Sequence, residues 1–421
     1  MKLKYIALIF FVISCLWTHG NEIRYVGGDI SCFPTYEEAG VVYKDENGNR
    51  IEFLPYLYDI GMNAMRVRLF VDPESFEKNH PDDYDPNACQ SLPYIIPLCR
   101  DIIENGFDLM LDFHYSDTWA DPDDQWIPDS WSNLTDKELE EKIYQYTSDT
   151  LIELRQNGIV PKFIQPGNEI SYGMLWGEYG NDIPGNHAYT NSPDSVWQRF
   201  GEFLNSAIKA CRKECPDAEI IIHTERVAQV VVLTNFYQRM ETIGIDYDII
   251  GLSYYPAYHG NLSQLDTALS TIEKTFKDKP IMIVETGYPL YWDIEDTIYS
   301  PEFGLGSMEQ QNHYAEELVK LLLQHKAVNG LFWWWLDYNP YISDSEHLSK
   351  WWNAPLIDPY TGKVLPATRT LASFGTGNAS VKEMKNPQIS SDIWYDINGK
   401  KIAPPQMPGI YIHDGKKILV K

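Results

Sequence analysis

The feature that most constrains this chain is an alternation that recurs along most of its length. From Arg24 to about Phe374, short β-branched or aromatic runs alternate with longer, more polar segments of helical length. The strand-like runs are RYVGGDIS, AMRVRLF, DLMLDFHY, FIQPGNE, EIIIHTE, DIIGLSYY, IMIVETG and GLFWWWL. Successive runs begin roughly 30 to 60 residues apart, which is room for a strand, a helix and two loops, the crossover that parallel strands require. Helical signals fill the gaps. IIPLCRDIIENG closes on a glycine, the segment from Leu134 to Gly158 opens with a Thr135 to Glu138 capping box, and HYAEELVKLLLQ is amphipathic. Such a series of βα units predicts an α/β fold of the (β/α)8 TIM barrel type, with an open doubly wound sheet as the alternative. No glycine-rich phosphate loop follows the first run, which counts against a nucleotide-binding fold.

A barrel of this kind places functional side chains at the C-terminal ends of its strands. The ends read Asp29, Arg68, His114, Glu169, His223 with Glu225, Tyr254 with Tyr255, Glu285 and the tryptophans at 333 to 335. Polar and aromatic groups therefore gather at one rim, although charged residues are rarely buried without partners. In QPGNEI, Asn168 and Glu169 stand side by side where the fourth run ends, and Glu285 ends the seventh. Two carboxylates facing one another across a barrel mouth are the minimal apparatus for cleaving a glycosidic bond, one as proton donor and the other as nucleophile or base. They must hold opposite protonation states near neutral pH. Arg68 is the expected counter-charge that keeps a nucleophile ionised. Tyr255 is the expected hydrogen-bond donor to it, because period-two alternation lets only one of Tyr254 and Tyr255 face inward. Asn168 is expected to donate to a sugar hydroxyl, and His114 and His223 to bind substrate hydroxyls or orient the acid.

Composition excludes other classes. Sixty acidic against 34 basic side chains give a net charge of -26, which repels nucleic acid and anionic lipid surfaces. Aromatic content of 14% suits both core packing and stacking on sugar rings. Residues 1–20 read as an export signal: Lys2 and Lys4 precede YIALIFFVIS, an apolar run too short to span a bilayer. Its exit is either lipidation at Cys15 in the lipoprotein-like box Val12-Ile13-Ser14-Cys15, the favoured reading, or ordinary cleavage after Thr18-His19-Gly20. The expected location is the cell surface or outer membrane as a lipoprotein, or else the periplasm or medium. The remaining cysteines, Cys32, Cys89, Cys99, Cys211 and Cys215, are odd in number, so at least one is expected to stay a free thiol, and none is assigned chemistry. Residues 21–377 form the expected catalytic barrel. From 378 to 421 a small β-hairpin tail is expected, since Val381 to Lys421 holds seven Lys against four acids and the hairpin signals Asn398-Gly399 and Asp414-Gly415. Its ending, PGIYIHDGKKILVK, resembles the sorting tails of Gram-negative exported proteins and reads equally as a β clip.

The motifs GGDIS, NAMRVRLFVDP, LDFHYSDTWADP, QPGNEISYGMLW, GLSYYPAYHG and IVETGYP occur in that order from Gly27 onward. Together they resemble glycoside hydrolase family 53, the arabinogalactan endo-β-1,4-galactanases, within the clan of retaining (β/α)8 glycosidases. The resemblance implies Glu169 as acid/base and Glu285 as nucleophile. It also places Asp29, Arg68, His114, Trp119, Asn168, Tyr255 and Trp334 at substrate-facing positions. The implied partners are β-1,4-galactan and galacto-oligosaccharides, with no cofactor required for chemistry; a monomer is the default expectation for an enzyme that approaches a long polymer. The neighbouring alternatives are another endo-glycanase of the clan, such as a mannanase or cellulase, and a non-catalytic surface glycan-binding protein. Two departures stand out. In GLFWWWLDYN, Trp335 occupies the position where the family carries an acid. Some bacterial relatives hold calcium in the loops after strands seven and eight; here YWDIEDTIYS and YISDSEHLS offer oxygen ligands without a matching spacing, and solvated acidic loops are the favoured reading over a structural calcium.

Overall fold

The computed structural model describes residues 23–291, 297–300, 302–304, 307–339, 354–377, 394–395, 401–402, 409–413 and 416–420. The leader at 1–20, the YISDSEHLS loop, part of YWDIEDTIYS and the Asn398-Gly399 and Asp414-Gly415 pairs lie outside the described residues. The chain divides into two compact units, one ending at Ala379 and one running from Ser380 to Lys421.

The first unit is built on a closed parallel barrel of eight strands, as the alternation predicts. These are β1 (Tyr25–Asp29), β2 (Ala64–Leu69), β3 (Asp108–Phe113), β4 (Phe163–Pro166), β5 (Glu219–Thr224), β6 (Ile249–Tyr254), β7 (Ile281–Thr286) and β8 (Val328–Trp333). They pair in sequence order and close between β8 and β1, Tyr25 lying opposite Gly330. Helices cover the outer face, so the strands are buried on both sides and read as nearly continuous apolar runs. The predicted capping box is formed: Thr135 and Glu138 satisfy one another's backbone N–H groups at the start of the helix Asp136–Gln156.

Inside the barrel, Tyr25, Ala64, Met110, Phe163, Ile221, Ile249, Met282, Val284 and Phe332 form one apolar floor. Strand alternation then places the next inward side chains two residues on, and these are polar: Arg66, Asp112, Gln165 and His223, joined by Asp29 and Ser253. Every one of them is buried. The floor keeps water out from below, so this polar layer is obliged to satisfy itself or serve the mouth above it.

The five cysteines among the described residues, Cys32, Cys89, Cys99, Cys211 and Cys215, are free; Cys211 and Cys215 close the helix Asp194–Glu214 at a spacing of one turn. The second unit holds a four-stranded antiparallel sheet of β9 (Trp394–Tyr395), β10 (Lys401–Ile402), β11 (Gly409–His413) and β12 (Lys416–Val420), in the order β10-β9-β11-β12. Among the described residues no helix is long and apolar enough to cross a membrane.

Glycine is obligatory where β1 meets β2. Gly27 lies opposite Ala64, and a Cβ at Gly27 would sit 1.6 Å from the Ala64 carbonyl oxygen. Gly27→Ala is therefore expected to force the two strands apart and destabilise the barrel by roughly 3 kcal/mol or more, read as a lower urea midpoint with an unchanged slope.

Candidate active site

The fourth strand ends in a backbone conformation that few sequences tolerate. Pro166 closes β4, Gly167 turns the chain at φ 104°, and Glu169 itself adopts φ 46°. A non-glycine residue in the left-handed region is strained by about 1 kcal/mol or more, so the surroundings must hold it there. They do: the Ile170 N–H donates to the His223 carbonyl at 3.1 Å, and the Glu169 N–H lies 3.3 Å from His223 Nδ1. The turn lifts Glu169 out of the buried layer, where it is partly exposed to the cleft.

Glu285 reaches the same cleft by a different device. Val284 belongs to the apolar floor, so strict alternation would send Glu285 outward. The pairing of β6 and β7 slips at this point: Leu252 lies opposite Ile283, but Ser253 lies opposite Glu285. The extra residue on β7 is a bulge that re-aims the carboxylate inward. Oxygens of Glu169 and Glu285 and a ring nitrogen of His223 all lie within 4.8 Å of one another.

Arg66, two residues before the end of β2's inward face, is the centre of the buried network. Its guanidinium lies 2.8 Å from Glu285 Oε1, 2.8 Å from Asp112 Oδ2 and 3.4 Å from Asp29 Oδ2, and donates to Asn168 Oδ1 at 2.9 Å. The expected counter-charge, Arg68, is thus displaced by its neighbour on the same strand face. Arg68 sits one layer higher, 3.5 Å from Asp29, with Trp119, Trp334 and Trp335 rings at 4.7 to 4.8 Å from its guanidinium carbon. The physical reason is depth: Glu285 projects down from its bulge to the level of Arg66, while the tryptophans occupy the space beside Arg68. Tyr255 donates to Glu285 Oε2 at 2.8 Å, whereas the Tyr254 hydroxyl turns away to the Gly260 carbonyl.

These contacts give the two glutamates different acidities. Burial pushes Glu285 up, while Arg66 and the Tyr255 hydroxyl oppose it, leaving it at about 6. Among the described residues no cation pairs with Glu169: burial raises it well above the usual carboxylate range, and the charges of Glu285 and Glu225 raise it further. The negative charge of the pair is therefore favoured on Glu285 and the proton on Glu169. Below them, burial holds His223 far below the usual imidazole range, so the ring is neutral. Its Nε2 pairs with Ser253 Oγ at 2.8 Å, and its Nδ1 meets Gln165 Nε2 at 3.0 Å and the Glu169 N–H. A glutamate–histidine–glutamate set of this size has the look of a metal site, but both ring nitrogens of His223 are already engaged and the set lacks a free nitrogen donor.

The mouth is a cleft of about 450 Å³, lined by Trp119, Asn168, Glu169, Tyr255, Glu285 and Trp334 from the predicted set. Asp29, Arg68, His114 and His223 lie beneath it, outside its lining. His114 places Nε2 3.1 Å from Asp112 and accepts from the Ala120 N–H at 3.1 Å. Asn168 is fixed by Arg66 on its carbonyl side and by the Ala120 carbonyl on its amide side. Residues 25–371 match Glycosyl hydrolase family 53 over nearly the whole barrel unit.

The chain belongs to this family. It is 31% identical over 354 residues to the arabinogalactan endo-beta-1,4-galactanase of Cellvibrio japonicus, covering 79% of this chain and 86% of that one. Arabinogalactan endo-beta-1,4-galactanase A of Aspergillus niger is 29% identical over 330 residues, 75% and 86% of the two chains. Among solved structures, the Ignisphaera aggregans GH53 catalytic domain aligns with a TM-score of 0.69 at 27% identity over 82% of this chain and 94% of that one. A structure of fungal beta-1,4-galactanases aligns at 0.67 and 28% identity, over 83% and 99%. The protein is a glycoside hydrolase.

Within this family 53 barrel, the residues that strand-end reasoning missed are Arg66, Asp112, Gln165 and Ser253. All lie one step deeper than the rim and were visible only by counting back in twos from the strand end. Gln165 donates to Asp112 at 2.6 Å, and Ser253 Oγ lies 3.4 Å from Glu285 Oε2.

Activity is expected to follow a bell in kcat/KM, falling on the acid side as Glu285 protonates near about 6 and on the alkaline side as Glu169 loses its proton. Tyr255→Phe removes a donor to the ionised form, so Glu285 becomes a weaker acid and the acid limb should move to higher pH by up to roughly one unit. Arg66→Met strands buried carboxylates as well. Its expected signature is a stability loss of about 3 to 5 kcal/mol in denaturant titration, together with a larger shift of the same limb.

Proposed function

We propose that the protein is a retaining endo-β-1,4-galactanase acting on galactan and type I arabinogalactan. The observation that carries this reading is the close glutamate pair at the cleft, of which only Glu285 is held by an arginine and a tyrosine hydroxyl. A retaining mechanism needs carboxyls about 5 to 5.5 Å apart, while inversion needs about 6.5 to 9.5 Å to admit a water between them. A separation within 4.8 Å for the nearest oxygens supports the former.

In the first step, ionised Glu285 attacks the anomeric carbon from one face while Glu169 gives its proton to the glycosidic oxygen and the leaving sugar departs. Formation of the ester cancels the Glu285 charge, so Glu169 becomes a stronger acid once it has been emptied, and it can then take a proton from the incoming water. Water attacks the same face the leaving group vacated, releases the sugar with its original anomeric configuration and frees Glu285. Arg66 and Tyr255 hold Glu285 at both oxygens, which fixes its attack direction. Trp334 and Trp119, inclined at 63° to one another, offer apolar surface for the sugar ring, and among the described residues the Asn168 amide donates to the Ala120 carbonyl alone, which leaves an N–H for a substrate hydroxyl.

The galactan assignment rests on the relatives that carry that name, and the open cleft suits internal scission of a polymer. The leader at 1–20 supports export, and Cys15 a lipid anchor at the cell surface. Galactan, mannan and cellulose compared by reducing-end release should give activity on galactan alone, with a rapid fall in chain length, and NMR of the first product should show the β-anomer. Glu285→Ala should abolish turnover on every substrate. Glu169→Ala should lose galactan hydrolysis yet keep cleaving aryl glycosides whose leaving group needs no proton. Equal loss in both variants on both substrates would overturn the assigned roles.

A further inference from the structure

The geometry points to Arg226 as the residue that grips the leaving sugar, with Glu225, Ser171 and Tyr172 holding it in position. This rests on the galactanase reading and adds a subsite to it. Glu225 and Arg226 stand where β5 ends and its 3-10 turn begins, and both line the cleft. Arg226 Nε lies 2.6 Å from Glu225 Oε1 and donates to Ser171 Oγ at 3.2 Å, while Ser171 itself donates to the same Glu225 oxygen at 2.5 Å. The guanidinium carbon lies over the Tyr172 ring, 4.1 Å from its centroid. Nε and the side toward Tyr172 are therefore occupied. The other edge, Nη1 and Nη2, has no acceptor among the described residues, and the side chain is 16% accessible at the cleft wall.

A guanidinium tied at Nε and lying over a ring has lost its rotational freedom before any ligand arrives. What remains is a planar fork of two parallel donors, matched to two neighbouring acceptor oxygens. On a neutral sugar such a pair is a vicinal diol. Position decides which sugar it meets. Trp334 follows β8, beside the β7 strand that carries Glu285, so the ring attacked at its anomeric carbon belongs against that wall. Ser171 and Tyr172 lie two and three residues after Glu169, and β5 is the neighbour of β4. The ring on the proton-donating side is the leaving sugar, whose position-4 oxygen receives the proton and whose 2- and 3-hydroxyls form the vicinal pair.

The test compares a linear β-1,4-galacto-oligosaccharide with a dinitrophenyl glycoside of galactobiose, which has no sugar to occupy this subsite. Arg226→Gln is expected to lower the ratio of kcat/KM for oligosaccharide over aryl glycoside by about tenfold or more, with Arg226→Lys recovering only part of it. A second arm uses the unaltered enzyme: oligosaccharides lacking the 2- or 3-hydroxyl on the leaving ring should be cleaved about tenfold more slowly, and that penalty should shrink in Arg226→Gln. If the variant loses both substrates in proportion, or if the deoxy sugars are cleaved as fast as the parent, the subsite is wrong while the galactanase reading stands. If the unaltered enzyme does not cleave the oligosaccharide at all, both fall together.

Discussion

The site depends on one buried cation. Arg66 is fully enclosed, and a guanidinium in that position is tolerable only because acceptors converge on it from β1, β3, the turn after β4 and β7. The dependence is mutual. Asp112 is pushed up by burial, yet Arg66 and His114 hold it below the usual carboxylate range, and Glu285 stays near about 6 only while Arg66 faces it. The same ion pair that makes the polar layer stable therefore sets the charge state of Glu285. Glu169, outside that pairing, is left to the opposite influences of burial and like charge. Differences in acidity between two identical side chains follow from which one the arginine touches.

Two local departures from regular geometry bring the carboxylates together. The bulge opposite Ser253 turns Glu285 from the helix side to the cleft, and the left-handed turn through Gly167 and Glu169 raises the Glu169 carboxyl above the neutral His223. Neither feature would be chosen for stability, since a bulge breaks the ladder and a left-handed glutamate is strained. Each is held by neighbours that are themselves part of the polar layer, so folding of the barrel and assembly of the site are one process.

Much of this was legible in the residues. The periodic strand runs imposed the barrel, the Thr135 to Glu138 pattern imposed a helix start, and the rim residues Trp119, Asn168, Glu169, Tyr255, Glu285 and Trp334 all line the cleft. Where the reading stopped short, the cause was depth. Arg66 and Arg68 share a strand face and differ only in how far down the barrel they lie, and a strand-end rule selects the higher one. Asp29, His114 and His223 were counted with the substrate-facing groups because a polar residue at a strand end looks the same whether it meets a ligand or an arginine beneath it.

By itself, the order of the residues determined the repeating βα architecture, because side-chain periodicity is a local property that each segment carries alone. It also placed Glu169 three residues beyond the fourth strand and Glu285 in the last pleat of the seventh. Only the tertiary structure decided that Glu285 faces inward, since alternation within β7 sends it outward and the correction lies in its register against β6. Only the closed barrel decided which arginine meets it, because electrostatic pairing depends on distances between strands far apart in sequence, and those distances exist only once the ring has closed.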